Sequence, residues 1–273
     1  VSRFDPAVLV LEDGTRYTGH AYGAKGRTLG EAVFATGMTG YQETITDPSY
    51  AGQIVMMTAP HIGNTGMNEE DVESWKIWVA GFVVRDPSRV VSNYRSTGNL
   101  DDQLVAQGIV GISGIDTRAV TLRLRDSGAM RSGIFSGADI DLSDDEQLRI
   151  VRGGVEMTGQ NLSAAVSVTE KVTMLATTER IGSVAVLDLG VKYSTLNYLA
   201  ARGLDVHVMP QSVTIDEIRE LAPNAVFYSN GPGDPAASES HVELLQDVLR
   251  DGLPFFGICF GNQLLGRALG LDT

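Results

Sequence analysis

One cysteine occurs in this sequence, at the centre of Gly257-Ile258-Cys259-Phe260-Gly261. The spacing is that of a nucleophile elbow, with glycine two residues to either side of the reactive group and sulfur where many hydrolases carry a serine oxygen. Such a turn is sharp, and its flanks must be small enough for the backbone to pass close to neighbouring strands, a need that Gly257 and Gly261 meet. An apolar run at 254–258 precedes the cysteine and a helical pattern at 262–269 follows it. That arrangement predicts a thiol aimed out of a sheet, with the positive end of a helix turned toward it, which suits a nucleophile carrying negative charge. It also predicts the amide N–H of Phe260 as one donor to an oxyanion. A lone cysteine is by default a small buried hydrophobe. Glycines at this spacing, between a strand and a helix, point instead to covalent attack on an acyl carbon.

A second loop, Tyr228-Ser229-Asn230-Gly231-Pro232-Gly233-Asp234-Pro235-Ala236, follows the preceding apolar run. Residues 231–236 fit G-x-G-x-x-A, the dinucleotide fingerprint. The fit fails on context: the fingerprint belongs to a first β-α turn, Pro235 lies inside the loop, and no acidic residue ends the next strand to hold a ribose. Two glycines braced by two prolines predict rigid backbone N–H groups facing the neighbouring strand end, which makes Gly231 the second oxyanion donor.

Four β-α units would hold these loops. Apolar strands at 183–187, 204–209, 225–228 and 254–258 alternate with helical patterns at 191–202, 215–221, 239–250 and 262–269. The pattern predicts an open, mostly parallel sheet with helices on both faces, whose reacting groups lie at the carboxyl ends of the strands. The first half reads differently. Runs at 7–11 and 16–22 around Asp13-Gly14 predict a hairpin. Further apolar runs at 53–57 and 78–84, and helices at 101–107 and 117–125 with Asp116 as N-cap, predict a strand-rich α+β domain. Residues 153–182 are richer in Thr, Ser, Gly and charge, which predicts a linker between domains at 1–152 and 183–273.

Composition removes several classes. The length, 273 residues, suggests two domains at roughly 150 residues each. With 21 Lys and Arg against 34 Asp and Glu, the net charge of −13 disfavours nucleic acid and anionic membrane surfaces. One cysteine allows neither a disulfide framework nor a Cys-rich zinc site, so no metal is expected. Residues 1–12 lack a basic segment leading into an apolar one, and no uncharged apolar run approaches about 18 residues, which together predict a soluble cytoplasmic protein.

These residues carry a resemblance. The run from Gly257 to Gln263 resembles the nucleophile motif of class I (triad-type) glutamine amidotransferases, and 229–235 resembles their oxyanion loop. Upstream, Met38-Thr39-Gly40-Tyr41-Gln42-Glu43, Thr46-Asp47-Pro48-Ser49-Tyr50, Pro60-His61-Ile62-Gly63-Asn64 and Gly114-Ile115-Asp116-Thr117-Arg118 resemble the carbamoyl-phosphate synthetase small-subunit family, in order over essentially the whole chain. The resemblance implies that Cys259 attacks the side-chain amide of glutamine, releasing ammonia and leaving a glutamyl thioester for water to hydrolyse. It implies that Gly231 and Phe260 hold the oxyanion, and that Gly231, Gly233, Phe260 and Gln263, with Ser49 from the N-terminal domain, bind glutamine. It further implies a large partner subunit that carries ATP, magnesium and bicarbonate chemistry to carbamoyl phosphate, for pyrimidine and arginine biosynthesis, in a higher-order assembly of heterodimers. No G-x-x-x-x-G-K-[ST] loop occurs here, so ATP is expected on the partner and no cofactor on this chain.

Two features depart from the family pattern. Asn262 stands where many relatives have histidine. The histidine base and its orienting glutamate lie well downstream of the nucleophile in the family, and none of His20, His61, His207 or His241 suits that role; the expectation is a truncated chain with little glutaminase activity by itself. Other readings of the elbow are a cysteine hydrolase of esters or lactones, an amidotransferase serving another synthetase, and a non-catalytic partner module. Asn161-Leu162-Ser163 is a chance sequon, Asp144-Asp145-Glu146 a solvated helix start, and Asp47 and Asp116 turn and cap residues.

Overall fold

The computed structural model describes residues 5–271, and the chain divides into two compact units, Val1–Glu156 and Met157–Thr273. In the first unit the strands are β1 (Pro6–Leu11), β2 (Arg16–Gly23), β3 (Arg27–Ala35), β4 (Gln53–Met57), β5 (His61–Ile62), β6 (Gly81–Val84), β7 (Asp86–Pro87), β8 (Val110–Ser113) and β9 (Met130–Ser136). Its helices are α1 (Tyr41–Thr46), α2 (Leu100–Ala106), α3 (Thr117–Ser127) and α4 (Asp144–Arg152). Seven of the strands close a barrel in the order β1-β2-β8-β6-β4-β3-β9, while β5 and β7 pair separately. The hairpin expected at the start is there, with β1 antiparallel to β2 and Val8 opposite Thr18.

The barrel rests on a period of two. Ala7, Leu9 and Leu11 of β1 enter one buried cluster to which every barrel strand contributes, and Val8 and Val10 enter another with Phe135 and Val151. In β4, Ile54 and Met56 join the first cluster, while Val55 and Met57 pack with Ile45, Leu100 and Leu104 of α1 and α2. Strands buried on both faces give unbroken apolar runs. Strands β3, β8 and β9 are interrupted by Gly30, Gly111 and Gly133, and no run marked them in the sequence. Added Cβ atoms at these three glycines would lie within 3.0 Å of neighbouring strands or side chains, so close strand packing explains the interruption. Asp116 caps α3, its carboxylate accepting from the Ala119 amide at 3.0 Å.

The second unit contains β10 (Val172–Met174), β11 (Gly182–Leu187), β12 (Leu204–Met209), β13 (Ala225–Tyr228) and β14 (Phe255–Gly257), with α5 (Ser163–Val166), α6 (Tyr193–Ala200), α7 (Ile215–Leu221), α8 (Glu239–Arg250) and α9 (Phe260–Ala268). The sheet order is β10-β12-β11-β13-β14. Strands β11 to β14 pair in parallel, and each is followed by a helix. Val184, Val186 and Phe227 face Leu196 and Ala200 of α6; Ala185, Leu187, Val226 and Tyr228 face Ile218, Leu245 and Leu264 of α7, α8 and α9. The doubly covered parallel sheet is as the β-α rhythm predicted. Residues 153–182, read as a linker, carry α5 and β10, and β10 pairs antiparallel with the edge of this sheet through β12. An edge strand three residues long, half solvated and flanked by Glu170 and Lys171, has too little alternation to stand out.

Candidate active site

Cys259 is the N-cap of α9, with φ 50° and ψ −107°. Among the described residues only it and Ala222 have positive φ without being glycine. Ala222, at φ 45° and ψ 51°, sits in the left-handed well at the end of α7; Cys259 lies outside any well favoured by L-residues. It is exposed, while the next side chain, Phe260, is buried in the core cluster beneath α9. The elbow is thus held by an anchored neighbour and a strained backbone, and the thiol faces solvent at the carboxyl end of β14.

The flanking glycines have direct physical reasons. A Cβ at Gly257 would stand 2.6 Å from the Gly261 carbonyl carbon, and one at Gly261 would stand 2.3 Å from the Tyr228 carbonyl oxygen. Backbone therefore touches backbone where the elbow passes the end of β13, as the spacing predicted. Two hydrogen bonds tie the contact: the Ile258 amide donates to the Tyr228 carbonyl at 3.1 Å, and the Gly261 amide to the Ser229 carbonyl at 3.1 Å. Asn262 and Gln263 both donate their amides to the Cys259 carbonyl at 3.0 Å and leave their side chains exposed.

The loop after β13 shares this sheet end. A Cβ on Gly231 would lie 2.0 Å from the Leu189 carbonyl oxygen, so only glycine lets the loop approach the turn that follows β11. Among the described residues the amides of Gly231 and Phe260 donate no hydrogen bond within the chain, leaving two main-chain donors uncommitted beside the elbow. Gly233 has φ 96°, and a Cβ there would meet the Gln160 carbonyl at 2.6 Å; that contact already accounts for the glycine. Asp234 pins the same stretch. Its carboxylate accepts from the amides of Gly159 and Ala236, each at 2.8 Å, and the Gly159 bond first, then the Ala236 bond, hold its carboxyl below the usual range.

Ser49 belongs to the first unit, on a 3-10 turn over Pro48–Tyr50 whose N-cap, Asp47, accepts from the Ser49 amide at 2.9 Å. The second unit has two histidines. His207 contacts the Thr173 hydroxyl from β12; β12 is three strand positions from β14, roughly 14 Å at the usual strand spacing. His241 is buried in α8, its Nε2 2.9 Å from the Gln211 side-chain oxygen. His20 and His61 are exposed in the first unit.

Sequence reasoning passed over the turn Asp188-Leu189-Gly190-Val191. The signal was available, an aspartate two residues before a glycine directly after an apolar strand, which is an Asx-turn pattern at the carboxyl end of β11.

Comparison with known proteins bears on both units. Residues 9–134 match the family described as carbamoyl-phosphate synthase small chain, CPSase domain, and residues 185–273 match glutamine amidotransferase class-I. The carbamoyl phosphate synthase small chain of Streptomyces coelicolor is 59% identical over 268 residues, 98% of this chain and 70% of that protein. Its counterpart in Streptomyces avermitilis is 56% identical over 268 residues, with the same coverage. The Mycobacterium tuberculosis counterpart is 54% identical over 276 residues, 98% of this chain and 72% of that protein.

Proposed function

This chain belongs to the carbamoyl phosphate synthase small chain family, and we propose that its second unit hydrolyses glutamine with Cys259 as the nucleophile. The sulfur attacks the side-chain carboxamide carbon, and the carbonyl oxygen becomes an oxyanion that the Gly231 and Phe260 amides receive. The C–N bond then breaks, ammonia leaves carrying the proton that the thiol gave up, and a glutamyl thioester remains. Water cleaves the thioester to glutamate and restores the thiol. Gly233 and Gln263 line the glutamine pocket through main-chain and side-chain atoms respectively. Ammonia passes to a large partner chain, where ATP and magnesium serve the synthesis of carbamoyl phosphate for pyrimidine and arginine production. The setting is cytoplasmic, and the working unit is an assembly of small and large chains.

The observation that carries this reading is a solvent-facing cysteine in a strained turn, with two uncommitted amides at the same sheet end. The test is Cys259→Ser in the protein purified with its large partner. Glutamine-dependent carbamoyl phosphate formation is expected to fall by on the order of 10⁴-fold or more, while formation from added ammonia persists. A variant that keeps its glutamine-dependent rate overturns the assignment.

A further inference from the structure

Asp188 is buried at the end of β11 and is surrounded by main-chain donors. Its Oδ1 accepts from the amides of Gly190 at 3.0 Å and Val191 at 2.9 Å, and its Oδ2 accepts from Val168 at 2.7 Å. The carboxylate thereby ties the 188–191 turn on both sides. That turn grips the loop after β13 at three successive residues. The Leu189 amide donates to the Ser229 hydroxyl at 3.0 Å, the Asn230 side-chain amide donates to the Gly190 carbonyl at 2.8 Å, and Gly231 lies flat against the Leu189 carbonyl. The same loop reaches the elbow through the Gly261 amide and the Ser229 carbonyl.

We propose that Asp188 is a positioning residue for the thioester chemistry, acting through the 188–191 turn to hold the Gly231 amide where the oxyanion forms. The proposal rests on the reading that Cys259 hydrolyses glutamine. Asp188 touches neither the nucleophile nor the bound amide; it sets the backbone that does. An oxyanion donor must be aimed before the reaction, because it contributes in proportion to how little it moves when charge develops. Loop 229–231 has only four residues of strand behind it in β13, and its Ser229 and Asn230 side chains both bond the turn that Asp188 organises. Burial pushes the Asp188 carboxyl above its ordinary range, and the three amides act against that.

Asp188→Asn keeps the shape and one acceptor oxygen, and puts an NH₂ group where an amide donor points. In the protein purified with its large partner, kcat for glutamine hydrolysis is expected to fall by about 10- to 100-fold, less than the roughly 10²- to 10³-fold cost of removing an oxyanion donor outright, because the donor is misaimed and not lost. KM for glutamine should stay close to wild type, since the oxyanion contact strengthens only as the reaction proceeds. Alkylation of Cys259 by iodoacetamide, a displacement that forms no oxyanion, should keep its wild-type rate. Asn230→Ala, run alongside, cuts the same brace at its far end and should give the same split if Asp188→Asn does not fold. A wild-type kcat in the folded variants, or parallel loss of kcat and alkylation rate, overturns the proposal while leaving glutamine hydrolysis standing. A wild-type protein that never turns over glutamine removes the underlying reading instead.

Discussion

At Cys259 two demands on one residue conflict, and the backbone records the conflict. With φ 50° and ψ −107° the residue occupies a conformation that glycine would hold freely. Strain of this kind costs of order 1–3 kcal/mol in a non-glycine residue. Glycine in its place would give back roughly 0.5–1 kcal/mol through its freer unfolded chain. The first quantity is the larger, so Cys259→Gly is expected to raise stability by about 1 kcal/mol in urea melts while ending glutamine turnover. A loss of stability would mean that the sulfur packs rather than strains. The neighbouring glycines carry the opposite logic: at 257 and 261 a Cβ would collide with backbone atoms at 2.6 and 2.3 Å, so these positions are fixed by contact, and their spacing around the cysteine was visible in the sequence for that reason.

At the level of elements, α8 shows how a buried polar group links packing to pH. His241 lies on the core side of α8 with Leu245 and Val248. Burial lowers its tendency to hold a proton from the ordinary value near 6.5, opposed by its hydrogen bond to Gln211. Its Nδ1 is buried with no partner among the described residues. The unfolded chain takes up the proton near 6.5 and the folded chain only at lower pH. Stability that is complete above that value is therefore lost as pH falls below it, levelling off once the folded state is protonated as well. In His241→Leu the loss between about pH 7.5 and pH 5 should be smaller than in wild type, read from urea midpoints at both pH values. Equal losses would show that His241 does not contribute. Periodicity placed this histidine on the core side of its helix, because i, i+4 and i+7 share a face; its partner Gln211, thirty residues away, had no sequence signal.

At the level of the molecule, the first unit completes its sheet without help. Strand β1 pairs with both β2 and β9, and no barrel strand extends past Ser136, so residues 1–156 expressed alone are expected to unfold in one cooperative transition by circular dichroism. A gradual, non-cooperative loss of signal would contradict this. Local chemistry and period determined much of this protein from the sequence alone. The four β-α units, the parallel sheet, the capped helices and the elbow all rest on patterns spanning a few residues, where side-chain spacing and backbone sterics act directly. Closure of the barrel, the antiparallel edge strand β10 and the brace from Asp188 to the 229–231 loop were decided only in three dimensions. Each joins segments tens of residues apart with a main-chain group on at least one side of every hydrogen bond, and a main-chain N–H or carbonyl is the same at every position but proline, so the order of side chains does not name the distant partner.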